Sequence, residues 1–347
     1  MNAEGQPAIL SDMRGEHVKI FAARCHTVRA TLVICCLAWA LPAAAQAWPS
    51  KPLSLVVPFA AGGTTDTLAR ITAERMRRPL GQTVLVENVV GASGTLGVGR
   101  VARATPDGYQ LILGHWGTHV LSGAVHTLNY DLQKDFEPVA MIATNPLILL
   151  ARNSMPAANV KELIAWLKAN SAKATYGTSG VGSASHVAGV YFQNLTGTKI
   201  EAINYKGGGP AMVDVAGGQI DLMFDQPASS LPLVKSGKVK AYVVTDKVRL
   251  AVAPDIPNAD EAGLKGLYIA IWHGIWAPRG TPRDVIARLN GAVVETLADP
   301  AVRQRFADLG QEIPTRERQT PEALSAYHKA EIDKWWPMIK AAGIKVE

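Results

Sequence analysis

The sequence has very few cysteines, and none of them lies in its main part. The three that occur are Cys25, Cys35 and Cys36, all close to the N-terminus. From Trp48 onward the chain carries no thiol, which excludes disulfides, thiolate metal sites and cysteine nucleophiles from that part. A chain without thiols suits an oxidising compartment outside the cytoplasm.

An excess of charge of one sign is also missing. The chain has 35 lysines and arginines against 29 acids, a net charge of +6 over 347 residues. The basic residues are scattered among acids, so the sequence predicts no nucleic-acid interface. With 48% apolar and 18% charged residues, the composition is that of a globular protein large enough for two domains.

A long apolar run is absent from the N-terminal segment. Thr31–Leu41 is apolar over 11 residues, whereas a membrane-spanning helix needs about 20. Basic residues precede it, and the small residues 43–47 (AAAQA) follow it. This order predicts a secretory signal peptide over residues 1–47, cleaved near Gln46 or Trp48, and therefore a periplasmic protein. The alternative, an uncleaved anchor, is disfavoured by the shortness of the apolar run.

The rest of the chain alternates short apolar segments with segments of helical periodicity. The apolar segment 53–59 ends at Gly62 and Gly63, and a helix is expected from about Thr64 to Leu80. Further strands are expected at 83–86, 109–113, 174–176, 200–205, 220–224 and 240–244. Strand–helix repetition predicts an α/β protein with parallel sheets covered on both faces. No linker separates two halves, so we expect two lobes joined by more than one crossing strand.

Capping residues mark several helix starts. Asn159 is expected to cap a helix that has Glu162 at its third position. Three residue pairs, Thr281-Pro282, Asp299-Pro300 and Thr320-Pro321, each place a capping side chain before a proline at the first helical position. The C-terminal third is therefore predicted to be mostly helical.

Two loops rich in glycine and small hydroxyl residues are candidates for ligand binding. They span residues 58–66 (PFAAGGTTD) and 177–186 (GTSGVGSASH), and each lies between a predicted strand and a predicted helix. Such a turn directs backbone N–H groups and a helix N-terminus at one point, which suits an anion. Each loop alone is equally compatible with a simple chain reversal, and two loops that face each other across a cleft favour the binding site.

Other kinds of chemistry find little support. Neither loop has the lysine of a phosphate-binding loop, and residues 91–99 lack the later acid of a dinucleotide site. Ser179 lacks the closing glycine of a nucleophile elbow and a third group to orient His186. The remaining histidines show no metal-ligand spacing. We therefore expect no enzyme activity, no metal and no cofactor.

The chain from about Trp48 to Ile344 resembles the substrate-binding proteins of tripartite tricarboxylate transporters, the Bug family. The resemblance rests on the ordered set 48–52 (WPSKP), 56–63 (VVPFAAGG), 106–109 (PDGY), 135–139 (DFEPV), 176–180 (YGTSG), 205–208 (YKGG), 218–225 (GQIDLMFD) and 277–282 (APRGTP). It implies a two-lobed Venus-flytrap fold of periplasmic binding proteins, each lobe a doubly wound sheet. Lobe 1 is expected to comprise residues 48–148 and 267–347, and lobe 2 residues 149–266.

The resemblance also implies a function and a site. A small carboxylate, mono- or dicarboxylate and including aromatic acids, would be bound by lobe closure and passed to the membrane permease subunits of such a transporter by a monomeric protein. The ligand-binding residues carried over are Phe59, Ala60, Gly62, Gly63, Thr65 and Asp66 in one wall, Ser179, Gly182, Ser183, Ala184 and Ser185 in the other, and Thr118 and Asp225 towards the far end of the ligand.

Three questions stay open at this point. The sequence does not identify the carboxylate, and it does not decide whether His115 and Trp116 contact it. A sensor that feeds a membrane kinase, or a periplasmic hydrolase on the same fold, remains an alternative to transport.

Overall fold

The computed structural model of the protein describes residues 48–171, 173–341 and 343. The predicted signal peptide and the three cysteines lie outside the described residues. The chain divides into residues 1–50 and one compact unit, residues 51–347, to which all elements below belong. In the part of the chain that the structure describes, no helix is both long and apolar enough to cross a membrane.

In the part of the chain that the structure describes, ten strands form two separate five-stranded sheets. The strands are β1 Leu53–Val57, β2 Val84–Asn88, β3 Gln110–His115, β4 Phe136–Pro146, β5 Ile148–Arg152, β6 Thr175–Thr178, β7 Glu201–Asn204, β8 Leu222–Asp225, β9 Val239–Val244 and β10 Ala270–Pro278. The first sheet has the order β2-β1-β3-β10-β4, and the second has the order β7-β6-β8-β5-β9.

Both sheets have the same topology. Three neighbouring strands are parallel, namely β2, β1 and β3 in the first sheet and β7, β6 and β8 in the second. The fourth strand of each sheet, β10 or β5, runs antiparallel to both of its neighbours. The prediction of parallel strands is therefore correct for three neighbouring strands of each sheet and wrong for the fourth strand.

Within the described residues, ten α-helices connect and cover the strands. They are α1 Thr64–Leu80, α2 Thr95–Ala102, α3 Ser122–Val125, α4 Val160–Ala169, α5 Ala184–Thr196, α6 Gly208–Ala216, α7 Pro227–Lys235, α8 Arg283–Ala298, α9 Pro300–Asp308 and α10 Pro321–Ala341. A short π-helical turn, Gly117–Leu121, follows β3. We call the first sheet with its helices, including α8 to α10, the first lobe, and the second sheet with α4 to α7 the second lobe. This is the two-lobed α/β fold expected from the sequence.

Local sequence explains most helix boundaries. Helix α1 buries Leu68, Met76 and Leu80, and it ends where Gly81 adopts a left-handed conformation (φ 69°) that favours glycine. Asn159 caps α4 by accepting a hydrogen bond from the Glu162 N–H, as predicted.

Of the three predicted caps that directly precede a proline, two are confirmed and one is wrong. The Asp299 carboxylate caps α9, and the Thr320 hydroxyl accepts from the N–H of Ala323 in the first turn of α10. Helix α8 instead begins at Arg283 without a side-chain cap, because the Thr281 hydroxyl donates backwards to the Pro278 carbonyl.

The C-terminal third is less helical than predicted, because β10 lies within it. This strand pairs on both sides, with β3 and β4, and its residues from Ile271 to Pro278 are all buried. It carries Trp272 and Trp276 into a core in which Trp276 stacks on His119 at 3.8 Å between ring centroids.

The chain crosses between the lobes twice, as the absence of a linker suggested. The first crossing joins β4 to β5 through Leu147, and the second lies between β9 and β10. The positions of these crossings agree with the discontinuous first lobe expected above, while the stated lobe boundaries stay a prediction.

Candidate functional site

A small cavity lies where the ends of the two sheets meet. The volume of this cavity is about 30 Å³, because its walls lie close to each other. The residues that line it come from both lobes: Phe59, Ala60, Gly63, Thr64, Thr65, Asp66, His115, Ser179, Gly208, Asp225 and Gln226. The two loops singled out in the sequence thus contribute to a single cavity.

The first-lobe wall is built around the N-terminus of α1. Gly63 precedes the helix and offers no side chain, so no side-chain cap satisfies the N–H groups of the first turn. Thr64 and Thr65 follow, and both are buried against the cavity. A helix N-terminus with free N–H groups and a favourable dipole is suited to an anion.

Two helix N-termini of the second lobe border the same cavity. Helix α6 starts after Gly207, and α7 starts after Gln226, and neither has a side-chain cap. By contrast, Asn159 and Ser183 cap α4 and α5 elsewhere in this lobe. The three helices that reach the cavity therefore have no side-chain cap there, and α1 and α6 present first-turn backbone N–H groups to a ligand, whereas α7 begins with Pro227, which has no N–H.

Three serines form a hydroxyl cluster at the second loop. The Ser179 N–H donates to Ser185 Oγ at 2.8 Å, and Ser185 Oγ lies 3.1 Å from Ser183 Oγ and 3.4 Å from Ser179 Oγ. Ser183 also accepts a hydrogen bond from the His186 N–H and so caps α5. Only Ser179 lines the cavity, and the other two hold the turn that positions it.

Asp66 lines the cavity, but both oxygens of its carboxylate already accept hydrogen bonds from other residues. Oδ2 accepts from the Gly62 N–H (3.1 Å) and from Arg70 Nε (3.0 Å), and Oδ1 accepts from Arg70 Nη2 (2.9 Å) and Asn88 Nδ2 (3.0 Å). Burial alone would raise the pKa of Asp66, but the hydrogen bonds from Arg70, Gly62 and Asn88 outweigh it and hold the pKa below its ordinary value. This carboxylate stabilises the first loop.

Asp225, on the opposite wall, has a different environment. It is buried, and its hydrogen bonds are to the Ser229 hydroxyl and the Gln226 backbone, with no ion pair among the described residues. Burial raises the pKa of Asp225 to about 6, and these two hydrogen bonds only partly offset the effect. Asp225 is therefore an acid whose charge is costly at this position.

His115, at the end of β3, also lines the cavity. Its ring stacks on Phe59 at 4.9 Å between centroids and 8° between planes, and it meets the edge of His273 at 5.5 Å. Burial lowers the pKa of His115 to about 4, so the ring is neutral at physiological pH.

Thr118 is turned away from the cavity walls. Its hydroxyl accepts from the His115 N–H at 3.0 Å and contacts the His115 carbonyl and His119 Nδ1 at 3.1 Å each. Trp116 is also fully buried, and its ring meets Trp335 at 4.8 Å. Both residues therefore support the turn after β3.

Seven of the thirteen predicted ligand-binding residues line the cavity, and six do not. The seven are Phe59, Ala60, Gly63, Thr65, Asp66, Ser179 and Asp225, and the six are Gly62, Thr118, Gly182, Ser183, Ala184 and Ser185. Contact of any of the thirteen with a ligand stays a prediction.

Four lining residues were not predicted, namely Thr64, His115, Gly208 and Gln226. Thr64 and Gln226 were detectable, because each is adjacent to a residue that was chosen. For His115, the sequence leaves open whether the side chain contacts the ligand.

The geometry offers no support for a serine nucleophile. His186 uses Nδ1 to accept the Gly182 N–H at 3.1 Å, and the partners of the Ser179 hydroxyl are serine oxygens. Hydrolysis by a serine nucleophile requires a general base within hydrogen-bond reach of the serine hydroxyl. Within the described ranges, no group of three or more metal-ligating side chains comes together.

Comparison with known proteins identifies the family. The profile described as "TctC: Tripartite tricarboxylate transporter family receptor" matches residues 68–344. The chain belongs to the TctC family. An Agrobacterium vitis protein from the TAR-I ttuE-ttuC' intergenic region is 42% identical over 306 residues, which cover 87% of this chain and 88% of that protein. BugT of Bordetella pertussis is 31% identical over 310 residues, 89% of this chain and 94% of BugT.

Solved structures of TctC-type proteins have the same fold. The periplasmic binding protein BugD superposes with a TM-score of 0.83 at 43% identity and covers 86% of this chain and 100% of BugD. MatC from Rhodopseudomonas palustris, solved with bound malate, has a TM-score of 0.82 at 39% identity, covering 84% of this chain and all (100%) of MatC. A second R. palustris protein, solved with adipate, has a TM-score of 0.82 at 34% identity, covering 86% of this chain and 100% of that protein.

Membership of the TctC family agrees with the resemblance seen in the sequence. The two five-stranded sheets are those of a Bug-type periplasmic binding protein. This TctC protein is thus a solute-binding protein, and its structural relative BugD is described as a periplasmic binding protein.

Proposed function

We propose that this protein binds a small carboxylate in the periplasm by closing its two lobes, and that it delivers the acid to the membrane permease subunits of a tripartite tricarboxylate-type transporter. One observation carries the proposal: the uncapped N-termini of α1, α6 and α7 border one cavity, although they belong to different lobes. Free backbone N–H groups from both lobes attract a negative charge, so binding of that charge favours closure of the lobes around it.

Hydroxyl groups complement the backbone donors. Thr65 from the first lobe and Ser179 from the second lie at the cavity, and neither adds a charge. The absence of a lysine or arginine from the lining suits small acids held by several weak donors. That MatC was solved with malate, and its R. palustris relative with adipate, supports a dicarboxylate as the first ligand to test.

Contacts between the lobes support capture by closure. The Ala60 N–H donates to the Lys206 carbonyl at 3.4 Å, and Thr64 Oγ1 lies 3.2 Å from Ser229 Oγ. These contacts join the two walls next to the cavity. A ligand that bridges the same walls would shift the equilibrium towards the closed form by its preference for that form.

A thermal-shift screen of the mature, monomeric protein tests the proposal. Malate, adipate, succinate and benzoate are added in turn, and at least one acid is expected to raise the melting temperature. The variant Ser179→Ala should bind that acid more weakly and keep its fold, whereas Ser236→Ala, an exposed serine of the same lobe, should bind it normally. Failure of every small acid to raise the melting temperature would count against the function.

A further inference from the structure

A buried histidine of the cavity wall has an unused donor. His115 is only 5% exposed, and its Nδ1 lies 2.8 Å from the backbone nitrogen of Gly117. A backbone N–H only donates, so Nδ1 must be the acceptor and the hydrogen of the neutral ring must be on Nε2. Among the described residues, Nε2 of His115 has no hydrogen-bond partner.

The surroundings of the ring hold it in one orientation. Phe59 stacks on one face, and the edge contact with His273 restricts rotation on another side. The Gly117 N–H fixes the tautomer as well as the tilt. The ring borders the cavity, so a ligand bound there can accept the hydrogen bond that Nε2–H does not make within the described residues. The cavity is open space that this ring lines.

We propose that His115 contacts the ligand and donates a hydrogen bond from Nε2–H to an oxygen of the bound acid. The inference rests on the proposed function and adds a specificity-determining residue to it. The ring gives one directed donor without a positive charge, because burial keeps the pKa of His115 at about 4. A neutral donor favours an acceptor oxygen at one fixed position and thus discriminates between acids of different shape.

Two substitutions distinguish the contribution of the hydrogen-bond donor to binding from that of the aromatic ring. His115→Phe keeps an aromatic ring for stacking on Phe59 and removes the donor. His115→Gln removes the ring and keeps an amide N–H near the position of Nε2. A lost hydrogen bond to a charged group corresponds to roughly 10- to 100-fold weaker binding, so we expect that loss in His115→Phe and much less of it in His115→Gln.

A matched control is available in the second lobe. His186 also accepts a backbone N–H at Nδ1, from Gly182 at 3.1 Å, and also stacks on an aromatic ring, that of Tyr176. It does not line the cavity and contacts the second loop only through Gly182, so His186→Phe should weaken binding much less than His115→Phe does.

The experiment measures affinity by titration calorimetry with malate, adipate, succinate or benzoate, whichever binds the wild type most tightly, and monitors folding by circular dichroism. Equal affinity in folded His115→Phe and wild type overturns the inference and leaves the proposed function intact. A wild type that binds none of the acids overturns both.

A spectroscopic readout covers the case in which His115→Phe does not fold. In wild-type protein with ¹⁵N-labelled histidine, the His115 signal, assigned by its loss in His115→Gln, should show the proton on Nε2 and should shift when the acid is added. A proton on Nδ1, or a signal that the bound acid leaves unchanged, overturns the inference.

Discussion

Thr245 and Leu147 are joined by two reciprocal hydrogen bonds where the chain crosses between the lobes. The Leu147 N–H donates to Thr245 Oγ1 at 2.9 Å, and the Thr245 N–H donates to the Leu147 carbonyl at 2.9 Å. The same hydroxyl donates to the Ile269 carbonyl at 2.8 Å, and the Ile269 N–H donates back to Thr245 at 3.0 Å. One threonine thus connects both ends of the second crossing to the first.

Replacing Thr245 by valine should destabilise the whole unit. The substitution preserves shape but leaves the buried Leu147 N–H without its acceptor, which costs about 1–3 kcal/mol. Urea unfolding should show this loss as a lower midpoint with an unchanged slope. Thr245→Ser keeps the hydroxyl and is the control, and it should lie closer to the wild type. A valine variant as stable as the serine variant would show that the hydroxyl contributes little.

The sequence predicts the parallel strands well because their signal is local. The segment 53–57 is an apolar run followed by glycines and a helical pattern, and β1 forms there. Strand β10 has no such local signal, because its pairing partners β3 and β4 lie more than 120 residues earlier in the chain. Its apolar, tryptophan-rich sequence is compatible with either a buried strand or a buried helix, and only the pairing decides between them.

The candidate site shows the same distinction. Thr65 and Ser179 follow recognisable strand–loop–helix openings, so sequence alone pointed to them. His115 and Gly208 reach the cavity only because β3 ends and α6 begins at the position where the lobes meet. That meeting depends on lobe packing, which no short sequence window encodes.

Removing the Ser93 hydroxyl should favour the open form. Ser93 Oγ donates to the carbonyl of Val181 at 2.6 Å, a contact between the lobes, and His126 Nε2 lies 3.2 Å from the same carbonyl. A net loss of about 1 kcal/mol changes the ratio of closed to open molecules about fivefold. Small-angle X-ray scattering of ligand-free Ser93→Ala should therefore give a larger radius of gyration than the wild type.

Thr95→Val is the matched control for this measurement. Its hydroxyl bonds within the same segment, to the Ala92 carbonyl at 2.9 Å, and is exposed. Its scattering should match that of the wild type. Identical curves for Ser93→Ala and Thr95→Val would mean that the contact with Val181 does not hold the lobes together.

Asp225 should make the wild type lose stability as pH rises. Its pKa is about 6 in the folded protein against 3.8 for the unperturbed group, so the folded state binds the proton more tightly. The contribution of this proton to stability is complete below pH 3.8 and is lost as pH rises through 6. The difference of about two pKa units corresponds to up to about 3 kcal/mol.

The variant Asp225→Asn isolates this effect, because the asparagine side chain cannot ionise. The other carboxyl groups contribute equally to the pH dependence of stability in the variant and the wild type, so their contributions cancel in the difference. The stability of the variant relative to the wild type should rise between pH 4 and pH 7, as measured by urea unfolding at each pH. A constant difference across this range would show that Asp225 titrates normally.

Adding a methyl group at Gly208 should block the cavity without unfolding the protein. A Cβ at this position would lie 3.2 Å from Asp225 Oδ1 and 3.5 Å from Ser179 Oγ, inside a space of about 30 Å³. The backbone of Gly208 is not in the left-handed region, so alanine adds no strain there. Gly208→Ala should therefore still fold, with a small shift of Asp225 away from the methyl group, and bind its acid at least tenfold more weakly, because the methyl group occupies space that the ligand needs.

Gly291→Ala provides the comparison for Gly208→Ala. A Cβ at Gly291, within α8, would meet no atom within 4 Å. Alanine in a helix is favoured over glycine by roughly 0.5–1 kcal/mol, so this variant should melt slightly higher and bind normally. If calorimetry gave both variants the affinity of the wild type, the ligand would have to bind away from Gly208, and the cavity between the lobes would not be the site.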